Sequence, residues 1–268
     1  MLNKIDRVFV PVSNLDRSIA WYEKEFGFKL LEKNGDEAHL QVAEGETLLS
    51  LKLAAPHQPQ RHLHEEGHVP CFNFYTHREH MNEKYFLERG IATTEVMDDP
   101  HMKVCEFADP DGNIIGICHE RPTSLHHTPS TELMTPMFHR VLAVFLPVIN
   151  LEAAIRWYTE VLGMTLHHHW GQGADLKVGS GETIITMIVM SPDVHRKALQ
   201  AVREKAYFTL QSDDVKGMHE KLQKSGTHTE DIHFSDGNLS LKDPEGLPLI
   251  ITCTYTKIQH STLQRSFV

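Results

Sequence analysis

Histidine is the residue this sequence offers most freely for chemistry. It supplies 20 of the 268 residues, and each neutral imidazole can ligate a metal or move a proton near neutral pH. The densest group is His167-His168-His169. Alternate strand side chains face opposite sides, so at most two of the three can share a metal, and the run reads as a solvated strand start. His101 and His233 precede penultimate strands, where each side chain either approaches a cavity mouth or stays in a solvated loop. Cys105 shares a strand face with His101 and has no cationic neighbour to favour its thiolate, so it reads as a packed thiol that can line a binding surface without acting as a nucleophile. The guanidinium of Arg7 can grip a carboxylate or enediolate with two hydrogen bonds, or it can reach solvent from a strand end. Asn73 and Tyr75 alternate onto one face with Val69, and Tyr207 and Thr209 onto another with Lys205. These groups either line cavities or satisfy buried backbone groups and one another. Lys205 can equally snorkel at the surface.

Any such chemistry must be positioned by elements that occur twice. Val8-Phe9-Val10-Pro11-Val12-Ser13-Asn14-Leu15 lies on Val144-Phe145-Leu146-Pro147-Val148-Ile149-Asn150-Leu151, and Trp21-Tyr22 on Trp157-Tyr158. Gly27 then meets Gly163, Gly45-Glu46-Thr47 meets Gly181-Glu182-Thr183, and Gly90 meets Gly226. One ungapped diagonal of this length is an internal repeat with a period of a whole domain. Copy one takes residues 1–120 and copy two residues 137–256, joined by a linker at 121–136 rich in Pro, Ser, Thr and His and followed by a tail at 257–268. Within a copy, Arg7 to Val12 alternates as a strand, and Leu15, Ile19, Tyr22 and Phe26 mark one helix face with Asn14 as N-cap and Gly27 as C-cap. Strands Ala38 to Val42 and Thr47 to Leu53 follow. A second unit repeats the plan: strand Val69 to Tyr75, helix Glu79 to Arg89, then strands near Thr93 to Val96, Val104 to Phe107 and Ile114 to Cys118, the last two joined by Asp109-Pro110-Asp111-Gly112-Asn113.

Composition narrows the classes of function. With 40% hydrophobic and 23% charged residues the chain is globular, and its apolar runs fall well short of the roughly 18 to 20 residues needed to cross a bilayer. A net charge of −10 without a basic stripe argues against a nucleic-acid partner. Cys71, Cys105, Cys118 and Cys253 form no CxxC pair and sit in strand-like segments, as reduced thiols would. With no basic and apolar leader pattern at the start, the expected location is the cytoplasm.

The run Val12-Ser13-Asn14-Leu15-Asp16-Arg17-Ser18-Ile19-Ala20-Trp21-Tyr22, the closing Gly27 and the turn Asp109-Pro110-Asp111-Gly112-Asn113, repeated as Leu151, Trp157-Tyr158, Gly163 and Asp243-Pro244-Glu245-Gly246, together resemble the vicinal oxygen chelate superfamily of glyoxalases, bleomycin-resistance proteins and extradiol dioxygenases. The resemblance implies an α+β fold of four tandem βαβββ modules curled into two open β-barrel-like cavities, with modules paired either within or between the copies. It also implies three metal-ligand positions per copy, for a divalent Fe, Mn, Zn or Ni. Here those positions carry Arg7, Val69 and Gly116 in copy one and Ala143, Lys205 and Ile250 in copy two, and none is a usual ligand; His68 adjoins Val69 but a one-residue slip would turn it to the opposite face, and His139 lies on the strand face of Ala143.

The expected protein therefore holds no cofactor. It binds a small organic ligand, neutral or anionic, in one or both barrels through Arg7, Asn73, Tyr75, His101, Cys105, Lys205, Tyr207 and Thr209, and the barrel containing Arg7 is favoured. It is expected to act as a monomer, with a homodimer as the alternative, and to engage neither membrane nor nucleic acid. A drug-sequestering resistance protein is one form of such a binder. The rival reading is a metal-dependent ring-cleaving dioxygenase or a glyoxalase-like lyase or isomerase.

Overall fold

The computed structural model describes residues 1–54, 70–78, 83–129, 136–202, 205–227, 229 and 237–253. Val69, His68 and His233 lie outside the described residues.

The first module runs β1 (Leu2–Val12), α1 (Leu15–Phe26), β2 (Lys29–Asn34), β3 (Glu37–Gln41) and β4 (Leu48–Leu53). The second runs β5 (Phe72–Tyr75), α2 (Glu83–Glu88), β6 (Met97–Asp98), β7 (Met102–Ala108) and β8 (Ile114–Glu120). The third comprises β9 (Arg140–Val148), α3 (Leu151–Glu160), β10 (Thr165–His169), β11 (Gly173–Lys177) and β12 (Ile184–Val189), followed by α4 (Pro192–Val202). The fourth comprises β13 (Phe208–Ser212), α5 (Val215–Lys224), β14 (Leu239–Lys242) and β15 (Pro248–Cys253).

The fold is α+β with two mixed sheets, of seven strands in the order β14-β15-β13-β1-β4-β3-β2 and eight in the order β10-β11-β12-β9-β5-β8-β7-β6. Each sheet combines strands from both sequence copies, the first module with the fourth and the second with the third, which resolves the alternative that the sequence leaves open. The chain also divides into two compact units, one of Met1–Asp6, Pro147–Gly181 and Met187–Val268, the other of Arg7–Leu146 and Glu182–Thr186.

Local chemistry explains why the modules recur. Asn14 caps α1 by accepting from the Arg17 N–H at 3.0 Å, and Asn150 caps α3 by accepting from the Ala153 N–H at 3.1 Å. Gly27 ends α1 at φ 71°, a left-handed conformation that favours glycine. The turn after β7 is tied by Asp109, which accepts from the N–H groups of Asp111 and Asn113 and from the Tyr22 hydroxyl at 3.0 Å. Asp243 does the same for Glu245, Leu247 and Tyr158 at 2.9 Å. Each buried phenol thus ties its helix to the turn before the last strand of a module, and each buried carboxylate has its hydrogen bonds satisfied.

One apolar core lies beneath α1. Trp21, Tyr22, Phe26 and Phe28 pack on one another and against Phe74, Phe107 and Phe138 at ring-centroid separations such as 5.3 Å for Phe28–Phe74 and 4.8 Å for Phe26–Phe138. This packing sets the faces of the eight-stranded sheet: Phe74 looks toward α1, so its strand neighbours Asn73 and Tyr75 look the other way.

Several elements differ from expectation. β2 is exposed along nearly all its length and offers no apolar alternation to detect; α4 was not foreseen. The strand expected at Thr93 to Val96 reduces to an isolated bridge from Thr93 to Phe107 and the two-residue β6. In that stretch the Thr94 hydroxyl takes the Glu106 N–H at 2.9 Å, a side-chain bond that displaces a ladder bond. No helix among the described residues is long and apolar enough to cross a membrane.

Candidate functional site

The face of the eight-stranded sheet opposite α1 carries the densest polar cluster. In the parallel pairing of β5 with β8, Tyr75 stands beside Cys118, and in the antiparallel pairing with β9 it stands beside Arg140. Below them Tyr75, Cys118, Leu142, Ala143 and Ile184 form an apolar floor with Val104 and Phe145 packed against it. At the strand ends are His77, His139, Glu120 and residues from the segment read as a linker.

Tyr75 is the hub. Its hydroxyl donates to the Thr128 carbonyl at 3.1 Å, accepts from the Thr128 N–H at 3.2 Å and lies 3.3 Å from His77 Nδ1. The Arg140 guanidinium sits over its ring at 5.0 Å, within cation–π range. One guanidinium N–H donates to the Glu182 carbonyl at 3.2 Å. Among the described residues no carboxylate lies within ion-pair distance of Arg140. Burial pulls the Arg140 pKa down, opposed by the more distant charges of Glu182 and Glu120. The His77 and His139 rings meet edge to face at 4.1 Å. Burial, then His139, His127, His119 and Arg140, pulls the His77 pKa down to about 4, and burial with Arg140 and Arg78 lowers that of His139. Both imidazoles are neutral at pH 7. The buried Nε2 of His139 has no hydrogen-bond partner among the described residues, and an orphaned polar atom of this kind marks a place where a ligand or water belongs.

Glu120 closes the cluster. It is 4% exposed, accepts from the Cys118 thiol at 2.9 Å and from the Ser124 hydroxyl, and its carbonyl meets His127 Nδ1 at 2.8 Å. Burial and Glu120 push the Cys118 thiol well up, so it is no nucleophile at neutral pH.

Of the residues singled out from the sequence, Tyr75 is at the centre of this cluster and Asn73 lies beneath it, its side-chain oxygen accepting from the Ala143 N–H at 2.9 Å. Cys105 pairs with Ile117 on the α1 side and so faces away from Tyr75. His101 is an exposed loop residue 3.3 Å from the Thr123 hydroxyl. Arg7, Tyr207 and Thr209 belong elsewhere. Lys205 is exposed, Tyr207 is buried against Phe208, and the buried Thr209 hydroxyl, beside Ile250, has no hydrogen-bond partner among the described residues. Arg140, His77 and Glu120 are the residues that sequence reading missed, and His139 entered it only as a neighbour of the Ala143 position. The only signals for them were an arginine opening a strand and histidines flanking two others.

Arg7 is engaged differently from Arg140. Its Nη1 lies 3.2 Å from His39 Nε2, and His39 Nδ1 lies 2.8 Å from the Ser50 hydroxyl. Arginine only donates, so Nε2 is the acceptor, Nδ1 carries the proton, and that proton is given to Ser50. In this tautomer His39 cannot accept the Ser50 proton, and a serine–histidine nucleophile is ruled out.

A family metal does not fit the residues present. A side chain at position 116 is blocked, since a Cβ there would come within 2.8 Å of the Asn73 Cβ and 3.3 Å of Pro70 Cγ. Arg7 is bonded to His39, Ala143 is buried without a donor, Lys205 is exposed, and Ile250 is apolar. Among the described residues no group of three or more His, Cys, Asp or Glu could hold a metal ion.

Comparison with known proteins agrees with this fold. A putative dioxygenase from Bacillus subtilis subsp. subtilis str. 168 superposes with a TM-score of 0.65 at 13% identity, over 94% of this chain and 85% of its own. The V278E mutant of glyoxalase I from Zea mays does so with a TM-score of 0.64 at 16% identity, over 92% and 91%. No curated protein matches the chain. The family model for the Glyoxalase/Bleomycin resistance protein/Dioxygenase superfamily matches twice, at residues 4–117 and 139–251, and the chain belongs to that superfamily.

Proposed function

We propose that this chain is a small-molecule-binding member of its superfamily that receives an organic anion on Arg140, at the polar end of the eight-stranded sheet, without a chelated metal. The observation that carries this reading is a half-buried guanidinium with no carboxylate partner among the described residues, beside a buried imidazole nitrogen with none. Holding a cation partly out of water with no carboxylate in contact is costly, and an anionic ligand would offset that cost.

Calorimetry with small organic acids and their neutral amides tests this. The acids should bind and the amides should not, and Arg140→Gln should weaken the acids by about 1.5 to 3 kcal/mol, as for a charged hydrogen bond. Acids that bind wild type and Arg140→Gln alike would overturn the assignment. Stoichiometric iron, manganese, zinc or nickel retained through dialysis would favour a dioxygenase, lyase or isomerase instead.

The same reading makes the protein a cytoplasmic monomer. Its four cysteines are free, as a reducing compartment allows, and sedimentation of dilute protein checks its mass.

A further inference from the structure

The proton positions around Tyr75 say more about the ligand than its charge. A phenol has one proton, and the Tyr75 hydroxyl gives it to the Thr128 carbonyl at 3.1 Å while accepting from the Thr128 N–H. With the phenol proton assigned to this shorter contact, the 3.3 Å approach of His77 Nδ1 places the hydrogen on that nitrogen. His77 is neutral at pH 7, so Nε2 keeps a lone pair and is an acceptor without a hydrogen-bond partner among the described residues. Arg140 and His77 both sit on the Tyr75 ring, the guanidinium 5.0 Å from its centroid and the imidazole edge-on at 4.8 Å. One ring thus presents a cation that wants an anion and an acceptor that wants a hydroxyl or amine.

The surrounding charges decide between ligand classes. Glu120 and Glu182 both act on Arg140, and a dianion such as a phosphate ester would be repelled by them more than a carboxylate. An ammonium donor would stand beside the Arg140 cation, while a hydroxyl carries no such penalty. Resting on the anion site proposed above, we propose that the ligand is a hydroxy acid, with its carboxylate on Arg140 and its hydroxyl donating to Nε2 of His77.

Matched pairs of acids that differ only by the hydroxyl test this: lactate with propionate, mandelate with phenylacetate, and 3-phenyllactate with 3-phenylpropionate, measured by calorimetry at pH 7.5 on the full chain. At least one hydroxylated member should bind about tenfold or more tighter than its partner, the advantage of a site whose acceptor is otherwise left unpaired. His77→Phe should erase that gap while keeping affinity for the plain acid, and Arg140→Gln should weaken both members together. Since His77→Phe could disturb the fold, His77→Asn serves as a second variant: its amide can still donate toward Tyr75 but does not reach the position of Nε2. Equal binding within every pair would overturn the hydroxy-acid assignment and leave the anion site standing. A gap that persists in both His77 variants would also overturn it, by showing that another group accepts the hydroxyl. No binding of any acid would overturn the anion site as well.

Discussion

The two sequence copies agree in what holds them together and differ in what they present. Tyr22 with Asp109 and Tyr158 with Asp243 are the same buried lock, both phenols held well above their ordinary pKa by burial and by their carboxylates. Equivalent residues even meet each other: the Glu46 N–H donates to the Glu182 carboxylate at 2.7 Å, the Glu182 N–H to the Glu46 carboxylate at 2.5 Å, and the hydroxyls of Thr47 and Thr183 lie 2.8 Å apart. Contacts of this reciprocal kind are those of a two-fold interface, here within one chain. The polar faces have parted. Along the repeat, Tyr75, His77, His139 and Arg140 correspond to Gln211, Asp213, Asn3 and Lys4, and Arg7, His39 and Ser50 to Ala143, Asp175 and Thr186. Scaffold positions cannot drift because each buried polar atom needs its partner, whereas ligand-facing positions answer only to the ligand.

The locks allow the sharpest test of how equal the copies are. Asp109→Ala would strand two backbone N–H groups, the Asn113 amide and the Tyr22 hydroxyl, and is expected to cost about 3 to 5 kcal/mol. Asp243→Ala removes the same set without the side-chain amide, since Leu247 stands where Asn113 does, and should cost about 1 kcal/mol less. Urea unfolding of both variants measures this, and a loss in either below about 1 kcal/mol would mean that its lock is not structural.

The next effect concerns which arginine takes the ligand. Arg140→Ala should weaken an organic acid by about 1.5 to 3 kcal/mol, whereas Arg7→Ala should leave binding within about 0.5 kcal/mol of wild type, because Arg7 is bound to His39. The reverse ranking would restore the barrel that the sequence favoured. This pair also marks what was legible. The repeat, the helix caps and the Asp-Pro turns follow from local rules, and all were readable. Arg7 stood out because the family pattern points to its position. Arg140 could not stand out, since what distinguishes it is a missing partner, a property of the folded neighbourhood and not of any motif. Thr128 and Ser124 were hidden for a related reason: a stretch without periodicity reads as a linker, yet its backbone and hydroxyl groups fix the protons of Tyr75 and bind Glu120.

The reciprocal threonines offer a smaller test. Thr47→Val and Thr183→Val should each cost about 1 kcal/mol, the net worth of a hydrogen bond whose buried partner is left behind. The double variant should cost less than the sum by about 0.5 kcal/mol or more, because both single variants remove the same hydroxyl contact, while Thr183→Val alone also loses the bond to the Val141 carbonyl at 2.8 Å. Strict additivity would show that the pair is not coupled and that the symmetric contact is incidental.

The smallest expected effect separates the polar face of the eight-stranded sheet from its counterpart by pH. His77 has an ordinary value of 6.5 and a folded value of about 4, so between those pH values the unfolded chain holds a proton that the folded chain refuses. Stability contributed by keeping His77 neutral is complete above pH 6.5 and is lost as pH falls toward about 4. His139 runs in the same direction. The buried carboxyls of Asp109 and Asp243, raised above 3.8 by burial, run in the opposite direction from pH 3.8 upward and offset part of the histidine slope. Subtraction isolates the histidine: the melting temperature of wild type should fall more steeply from pH 6.5 to pH 4 than that of His77→Asn, and the two should run parallel above pH 7. Asp213 occupies the equivalent place in the other copy, which therefore has no imidazole there. If His77→Asn keeps the full acid slope, the proton is refused elsewhere, and the neutral acceptor assigned to His77 loses its support.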